Sequence, residues 1–507
     1  GTWTIINAMI HTSPNDFIKG GSINIRDGKI EAVGRYIKTP KDSYVIDLKG
    51  AHVYAGFIES WLETKSLKQA NSLRQHWDEK VRPEYRSIDN LSIKVKKIKE
   101  LRNLGFTTAH LIPDAGIFRG QSGIINLSDK PKPIKSSVAQ VIDFKYRTKG
   151  KRTYPRSLLG IIAHIRQTFY DANWYIKAQK IYEDYPNENA PLSSNIAFES
   201  LGISQSVKKP FIFITADEHY ANRAINIANE FSLNSWIKGS GYEYRRLDLY
   251  KETKPFFIIP IDFPSKPSVI KAHSHLQYST EELKHWDMAP DNLKYLSNAG
   301  LEFSITSNNL KKKSQFRVNL RKMIDRGLDQ STVLAALTTI PAAAIGMEKS
   351  LGKIAPGYDA NLVIVDGEYF DPKSKILSVW VNGEKNYISS NNSQKFQGTW
   401  SLKYNGSAYE LTLEKPNKQK LNDKNKSNLM PSNSSYIGSL KLNEKSIAIN
   451  NIDIFDNTIS FTIDGTEFKL KGTLSFSGDL ENGKISGVVN NHLDNPLPFL
   501  ATIKKTE

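Results

Sequence analysis

Two histidines separated by a single residue, His273 and His275, form the His-x-His pair of this sequence. Neutral imidazoles bind zinc and related divalent ions, so the pair could supply two ligands of a metal centre. His285 follows ten residues after His275, and the three together could make a weak surface site. Because no further ligand stands nearby and histidines in a polar loop are commonly solvent-exposed, a metal role is the less favoured interpretation.

An acid–base group could also lie at Asp217, Glu218 and His219, which follow the apolar run FIFITA. These residues would open a strand-to-helix loop, where catalytic groups of parallel α/β enzymes lie. The favoured interpretation is structural, with Asp217 or Glu218 capping the next helix. His110 and His164 stand among apolar residues and are predicted to be packing histidines.

The elements that position these groups change character along the chain. Residues 1–54 alternate apolar and polar positions between turn signals, which predicts a small β domain. Helical patterns alternate with short apolar runs in 55–347, which predicts parallel βα units. Strands return in 348–388, and in style they resemble the opening segment, so both flanks could share one sheet. A polar linker is predicted at 389–396, and 397–507 has the pattern of an antiparallel β barrel or sandwich.

Composition limits the functional classes. The 507 residues carry 69 Lys and Arg against 52 Asp and Glu, a net charge of +17. These charges lie in scattered runs without an aromatic platform, so nucleic acid is not the expected partner. No apolar run is long enough to predict a transmembrane segment. The absence of cysteine leaves only His and carboxylates as metal ligands and suits a periplasmic, cell-surface or secreted protein.

Several motifs, in this order and spacing, resemble landmarks of the amidohydrolase superfamily, in its imidazolonepropionase and dihydroorotase-like branch. The motifs are NAMIHT with INIRDGKIEAVG, VIDLKGAHVYAGFIES, ALTTIPAAAIGM, and LGKIAPGYDANLVIVDG with VWVNGEKNY. The resemblance covers residues 2 to about 388. It implies an α/β fold in which a (β/α)8 TIM-like barrel is inserted in a small β-sandwich formed by both flanks. The C-terminal all-β domain would be an addition.

The resemblance also implies one or two divalent ions at the carboxyl ends of the barrel strands, activating a water molecule. At the positions that match the family's ligands and catalytic Asp, this sequence has other residues: Trp61, Glu63, Thr215, Lys238 and Ser307. Of these only Glu63 is a competent oxygen ligand, and Lys238 would place an ammonium where the ion should lie. No metal or other cofactor is therefore expected in this chain, and no catalytic residue is assigned. Trp61 is predicted to fill the vacated volume.

The loop GIFRGQSG at 116–123 suggests a binding role instead. Its glycines allow close backbone approach, while Arg119 and Gln121 could bind a carboxylate or amide. If Lys238 points into the same mouth, an anion-binding pocket results. The alternative is a structural turn in which Arg119 pairs with a local acid.

Three functions remain open on this sequence. The chain resembles the ligand-poor first half of tandem bacterial amidohydrolase proteins, which implies a non-catalytic module. Such a module would scaffold or assist a metal-bearing amidohydrolase subunit, or the other half of a tandem protein, with zinc or another divalent metal in that partner. It could also capture an anionic small molecule, peptide or glycan. The alternatives are a hydrolase of carbon–nitrogen bonds other than peptide bonds with a rearranged site, and a stand-alone protein that binds an acidic ligand or glycan.

Overall fold

The computed structural model describes residues 2–66, 73–145, 154–267, 277–388, 396–415, 436–455, 458–468, 472–481, 483–491 and 494–504. His273, His275 and all but the last residue of the predicted linker lie outside the described residues. Two compact units divide the chain. We name Gly1–Gly56 with Lys349–Glu507 the flanking unit, and Phe57–Glu348 the central unit.

The strands follow one another from end to end of the chain. In order they are β1 (Thr2–His11), β2 (Phe17–Arg26), β3 (Lys29–Gly34), β4 (Tyr44–Asp47), β5 (His52–Ala55), β6 (Phe57–Thr64), β7 (Phe106–Pro113), β8 (Phe118–Gln121), β9 (Gly123–Asn126), β10 (Pro133–Lys135), β11 (Gln140–Asp143), β12 (Pro210–Ile214), β13 (Asn234–Lys238), β14 (Phe256–Pro260), β15 (Phe303–Thr306), β16 (Leu362–Val365), β17 (Ile376–Val381), β18 (Glu384–Tyr387), β19 (Gly398–Tyr404), β20 (Ser407–Glu414), β21 (Ile437–Leu442), β22 (Lys445–Ala448), β23 (Asn450–Phe455), β24 (Thr458–Asp464), β25 (Thr473–Glu481), β26 (Lys484–Asn491) and β27 (Asp494–Ile503).

The described α-helices lie in the central unit. They are α1 (Val95–Arg102), α2 (Leu158–Asp184), α3 (Ile196–Ser206), α4 (Glu218–Glu230), α5 (Thr280–Met288), α6 (Asn292–Asn298), α7 (Gln315–Asp325), α8 (Gln330–Leu337) and α9 (Thr339–Ala344). Among the described residues, no helix is both long enough and apolar enough to cross a membrane.

One sheet of the flanking unit combines strands from both sides of the central unit. Its strand order is β18-β17-β16-β5-β1-β2-β3, with β4 paired to β1. Strand β5 runs parallel to β1 on one side and antiparallel to β16 on the other. The prediction that both flanks share a sheet is therefore confirmed. Alternating apolar residues of β2 and β16, such as Ile23, Ile25 and Ile364, meet in one buried core.

A second sheet of the flanking unit contains β19 to β27. Its nine strands pair antiparallel in the order β22-β21-β20-β19-β27-β26-β25-β24-β23. Every second residue of β19, including Trp400 and Leu402, enters a core that most of the other strands also line. This period of two is the β pattern that the sequence predicts for the segment.

The central unit alternates strands and helices, as predicted. Strands β6 and β7 pair in parallel, and so do β11 through β15 in sequence. Strands β8, β9 and β10 are antiparallel additions to these sheets. Because parallel strands place their carboxyl ends at one edge, the residues that end β6, β11, β13 and β15 can form one site.

Local sequence accounts for several helix boundaries. Asp217 accepts hydrogen bonds from the backbone N–H groups of His219 and Tyr220, which confirms its predicted role as the cap of α4. The small, apolar residues of the run STVLAALTTIPAAAIGM favour a helix, but Thr338, with φ −129° and ψ −84°, divides it into α8 and α9. Pro341 contributes to this break, because it has no backbone N–H to donate to the Leu337 carbonyl four residues earlier and its ring clashes with that carbonyl in a continuous helix.

Candidate functional site

Strand β6 supplies the centre of the site with three side chains, those of Glu59, Trp61 and Glu63. The register of β6 shifts between Glu59 and Leu62, and Trp61 links the other two residues by donating its backbone N–H to Glu59 and its indole N–H to Glu63. Glu59 and Trp61 are 1% and 3% exposed. Glu63, nearer the end of the strand, reaches solvent with 40% of its side chain.

The Glu59 carboxylate joins the first parallel strand of the central unit to the last. It accepts hydrogen bonds from the hydroxyl of Thr306, and from the backbone N–H and hydroxyl of Ser307 at 3.1 and 2.5 Å. It also accepts the backbone N–H of Trp61 at 3.1 Å. Four donors therefore satisfy a carboxylate that is almost wholly removed from water, as a buried charge requires.

Trp61 and Lys238 pack against each other beside Glu59. The ammonium nitrogen of Lys238 lies 5.5 Å from the centre of the indole ring, a cation–π contact. The indole N–H donates to Glu63 Oε1 at 3.3 Å. Burial lowers the pKa of Lys238 from 10.5 to about 8, against the opposing pull of Asp262, Glu243, Glu63 and Glu59.

Arg119, near the start of β8, links the cluster to Asp143 at the end of the antiparallel strand β11. Its guanidinium donates to Glu63 Oε1 at 3.1 Å and to Asp143 Oδ2 at 2.6 Å. A third bond reaches the carbonyl oxygen of Pro113 at 3.1 Å. Arg119 and Asp143 are both buried, so this pair is shielded from solvent. Glu63 thus lies between Trp61, with its Lys238 neighbour, and Arg119.

Thr215 and Lys313 complete the cluster. The Thr215 hydroxyl donates to the backbone carbonyl of Lys238 at 3.0 Å, which ties the end of β12 to the end of β13. The Lys313 ammonium donates to the Ser307 carbonyl and hydroxyl at 2.5 and 3.1 Å. Burial lowers the pKa of Lys313, while Glu59 acts to raise it.

Gln121 lies in a different group of side chains. Its amide donates to the Pro83 carbonyl and the Ser200 hydroxyl, and its oxygen accepts from Ser137 and Lys209. The intervening Gly120, with φ +110°, could not carry a side chain, because a Cβ would lie 2.4 Å from the carbonyl oxygen of Tyr85. Gly120 thus lets this loop pack closely against the backbone of Tyr85.

The remaining histidines that the sequence singles out have structural partners. His110 is buried and lies 2.7 Å from the Ser122 hydroxyl, and burial lowers its pKa to about 3. His164 is buried 2.9 Å from Asp78 Oδ2. His285 stacks on Tyr242 at 3.8 Å. Within the described residues, no three His, Cys, Asp or Glu side chains are grouped closely enough to hold a metal ion.

Sequence reasoning missed Glu59, Asp143 and Lys313. Glu59 had a usable signal, because it lies two positions before Trp61 and a regular strand would place both on one face. Asp143 ends a buried strand, QVID, and the carboxyl ends of parallel strands are where functional side chains of such folds lie. Nothing in the local pattern separates Lys313 from its neighbours Lys311 and Lys312.

Comparisons with known proteins agree with this fold. Residues 289–387 match the model of the amidohydrolase family. The protein named amidohydrolase tasK, from Hapsidospora irregularis, is 23% identical over 399 residues, which are 72% of this chain but only 39% of that protein's length. The solved structure of an amidohydrolase from Thermotoga maritima MSB8 is similar with a TM-score of 0.61 and 21% identity, covering 75% of this chain and 98% of that one. Residues 289–387 thus resemble the amidohydrolase family, and three quarters of the chain has a fold similar to that of the Thermotoga maritima structure.

Proposed function

We propose that this chain is a non-catalytic amidohydrolase-like module that works beside a metal-bearing amidohydrolase. The observation that carries the proposal is the Glu59 network: a carboxylate at the centre of the site is fully engaged by Thr306, Ser307 and the backbone of Trp61. A carboxylate with four donors has little capacity left for an ion.

The donor set around Glu59 does not fit a divalent cation. The Thr215 and Ser307 hydroxyls point their hydrogens at oxygen acceptors, and Trp61 offers an N–H donor rather than a lone pair. Lys238 brings an ammonium, which an ion would repel. Glu63 is shared between Trp61 and Arg119. We therefore derive no hydrolytic step through a metal in this chain.

The central unit is also inferred to form the (β/α)8 barrel of the family. Support comes from the hydrogen bonds that Glu59 of β6 receives from Thr306 and Ser307 at the end of β15, since they bring the outer strands of the two parallel sheets together. In this arrangement the network replaces an ion at the centre of the barrel mouth.

A partner is proposed on the basis of length. The match to amidohydrolase tasK covers 39% of that protein, so a further domain or subunit could supply the metal. The finer resemblance to the first half of tandem bacterial proteins agrees with this arrangement. A periplasmic, cell-surface or secreted location stays part of the proposal.

An anion-binding pocket has weaker support than the module. Arg119 and Lys238 do border the same residues, but Arg119 is already paired with Glu63 and Asp143. The cluster holds Arg119, Lys238 and Lys313 against Glu59, Glu63 and Asp143, three formal charges of each sign. This balance does not favour an anionic substrate or glycan.

A hydrolase of carbon–nitrogen bonds is the second candidate, favoured by the match of residues 289–387 to the amidohydrolase family. Metal analysis of the purified chain separates the two. After exposure to zinc, manganese or cobalt and removal of free ions, we expect well below one metal per chain and no hydrolysis of amide or cyclic amide substrates. Stoichiometric metal that is lost in Glu59→Gln, together with hydrolysis that the same variant abolishes, would support the hydrolase instead.

A further inference from the structure

Helix α2 exposes a row of large apolar side chains along its whole length. Leu159, Tyr170, Trp174, Ile181 and the C-cap residue Tyr185 are 76%, 53%, 62%, 52% and 59% exposed. With about 100° of rotation per residue, the five lie within an arc of about 80° on one side of the helix. Small Ala163, also exposed, falls in the same arc. We call this surface the α2 stripe.

The opposite side of α2 is already buried in the central unit. Ile161, Ile165, Phe169 and Ala172 belong to the core under the helix. The helix therefore has two apolar sides, although a surface helix of a globular protein normally has one. Isolated exposed apolar residues are ordinary, but an aligned row indicates a contact surface.

The centre of the α2 stripe is held in place. The Tyr170 hydroxyl donates to Glu230 Oε1 at 2.7 Å, and the Tyr170 ring packs edge-on against Phe231 at 5.0 Å. Arg166 binds the other oxygen of Glu230 at 2.6 Å. A fixed aromatic ring loses little conformational entropy when a partner covers it.

The positions in the α2 stripe are symmetric about the level of residue 172. Leu159 and Tyr185 are equally far from this level, and so are Ala163 and Ile181, and Tyr170 and Trp174. In an antiparallel pair of α2 helices related by a two-fold axis at that level, each of these residues lies at the same level as its counterpart on the other helix. Leu159 of one helix, for example, lies level with Tyr185 of the other. Ala163 then leaves room for Ile181. Such self-complementarity is what an isologous interface requires.

Charge and area also favour a second copy. The whole chain carries +17, yet α2 has three basic and three acidic residues, so two α2 helices approach without net repulsion. The five side chains expose on the order of 600 Å². With the stems of Gln167 and Lys177 between them, the surface approaches the roughly 800 Å² per partner of a standard interface.

We propose that two copies of this chain associate through their α2 stripes as an antiparallel, two-fold symmetric helix pair. This inference does not rest on the proposed function, since it concerns a surface that takes no part in the Glu59 network.

Sedimentation velocity over a concentration series tests the association. The full chain should shift from monomer to dimer with rising concentration, and Trp174→Glu should raise the dimer Kd by at least tenfold. Tyr36→Glu is the matched control, because Tyr36 is an aromatic residue that is 93% exposed and belongs to the flanking unit. A wild-type chain that stays monomeric up to about 100 μM, or equal effects of both variants, would overturn the proposal.

Cross-linking tests the relative orientation of the two α2 helices. Because the sequence has no cysteine, an introduced cysteine is the only thiol that can react. Leu159→Cys and Tyr185→Cys are prepared separately and then mixed. A short thiol-reactive cross-linker should join the two variants in the mixture and neither variant alone, because equivalent ends lie about 39 Å apart along an antiparallel pair. Dimers cross-linked within each single variant would show a parallel pair, and no cross-linking in the mixture would contradict contact at the stripe.

Discussion

Ser307 donates both its backbone N–H and its hydroxyl to one carboxylate oxygen of Glu59, although 248 positions separate the two residues. Thr306 adds its hydroxyl to the other oxygen. The contact fixes the start of the central unit to a strand close to the unit's end. Because all of these groups are buried, the loss of either side leaves polar groups that water cannot reach.

Replacement of Glu59 should therefore be among the most destabilising changes in the central unit. Glu59→Ala leaves the hydroxyl and N–H donors of Thr306, Ser307 and Trp61 unpaired, and we expect a loss of about 3–5 kcal/mol in unfolding free energy. Glu59→Gln keeps one acceptor oxygen and the same shape, so its loss should be smaller. Urea unfolding followed by circular dichroism measures both. Equal stability of Glu59→Ala and wild type would refute the network's role.

Lys238 should make stability rise with pH in the alkaline range. Its folded pKa of about 8 lies below the ordinary value of 10.5, so between these values the unfolded chain binds more protons than the folded one. The unfolding free energy of wild type, minus that of Lys238→Met, should increase by up to about 3 kcal/mol from pH 8 to pH 10.5.

Denaturant titrations at several pH values measure this difference for Lys238. Lys209 and Lys313, whose pKa values are also lowered by burial, are present in both proteins and cancel. Lys96→Met is the control, because the Lys96 side chain is 88% exposed and should show no such slope. A flat difference for Lys238→Met would mean that its ammonium is not desolvated.

Arg119 should be coupled more strongly to Asp143 than to Glu63. Both partners of the Arg119–Asp143 pair are 9% exposed at the side chain, whereas Glu63 is 40% exposed and screened by water. Double-mutant cycles with Arg119→Met should give a coupling energy of about 2 kcal/mol or more with Asp143→Asn, and below about 1 kcal/mol with Glu63→Gln. A larger coupling energy with Glu63→Gln than with Asp143→Asn would mean that the ion pair that stabilises the fold is Arg119–Glu63, on the solvent side of the cluster.

Trp61 should act through its volume more than through its N–H group. Trp61→Ala opens a cavity beside Lys238 and should cost about 3–5 kcal/mol. Trp61→Phe keeps an aromatic ring under the ammonium and loses the bond to Glu63 Oε1, so we expect a cost near 1 kcal/mol. Unfolding curves of the two variants, compared at one pH, decide whether the residue fills space. Similar costs for both would assign the effect to the hydrogen bond.

The sequence predicts the order of the elements well and the pairing of side chains poorly. Alternating patterns locate β1 to β5 and β16 to β18, and Asp217 is predicted to be a cap, because these features depend on near neighbours. The helix α2 was not assigned from the sequence; its two apolar sides leave no clear amphipathic period. The Glu59–Ser307 contact depends on how the sheets meet, which no local pattern records.

Substitutions at the expected ligand positions were visible in the sequence, whereas their consequences were not. The residue types of Trp61 and Lys238 indicate that neither suits a metal, but no sequence pattern indicates that they contact each other. For Arg119 the sequence leaves two interpretations open: binding of a ligand, or a structural turn in which Arg119 pairs with an acid. The structure gives it Glu63 and Asp143 as partners, which no sequence spacing indicates because they come from β6 and β11.

The pairing of β5 with β16 sets an order for folding. During synthesis, β5 can meet β1 early, but its other edge has no partner until residue 362 has emerged. Some three hundred residues of the central unit come between them. The central unit can therefore fold first, while that edge of β5 remains unpaired. Such distant pairing slows folding and leaves an unpaired edge exposed to other chains. Completion of this sheet is therefore delayed until β16 has been made, and until then the edge of β5 leaves a newly made chain exposed to aggregation.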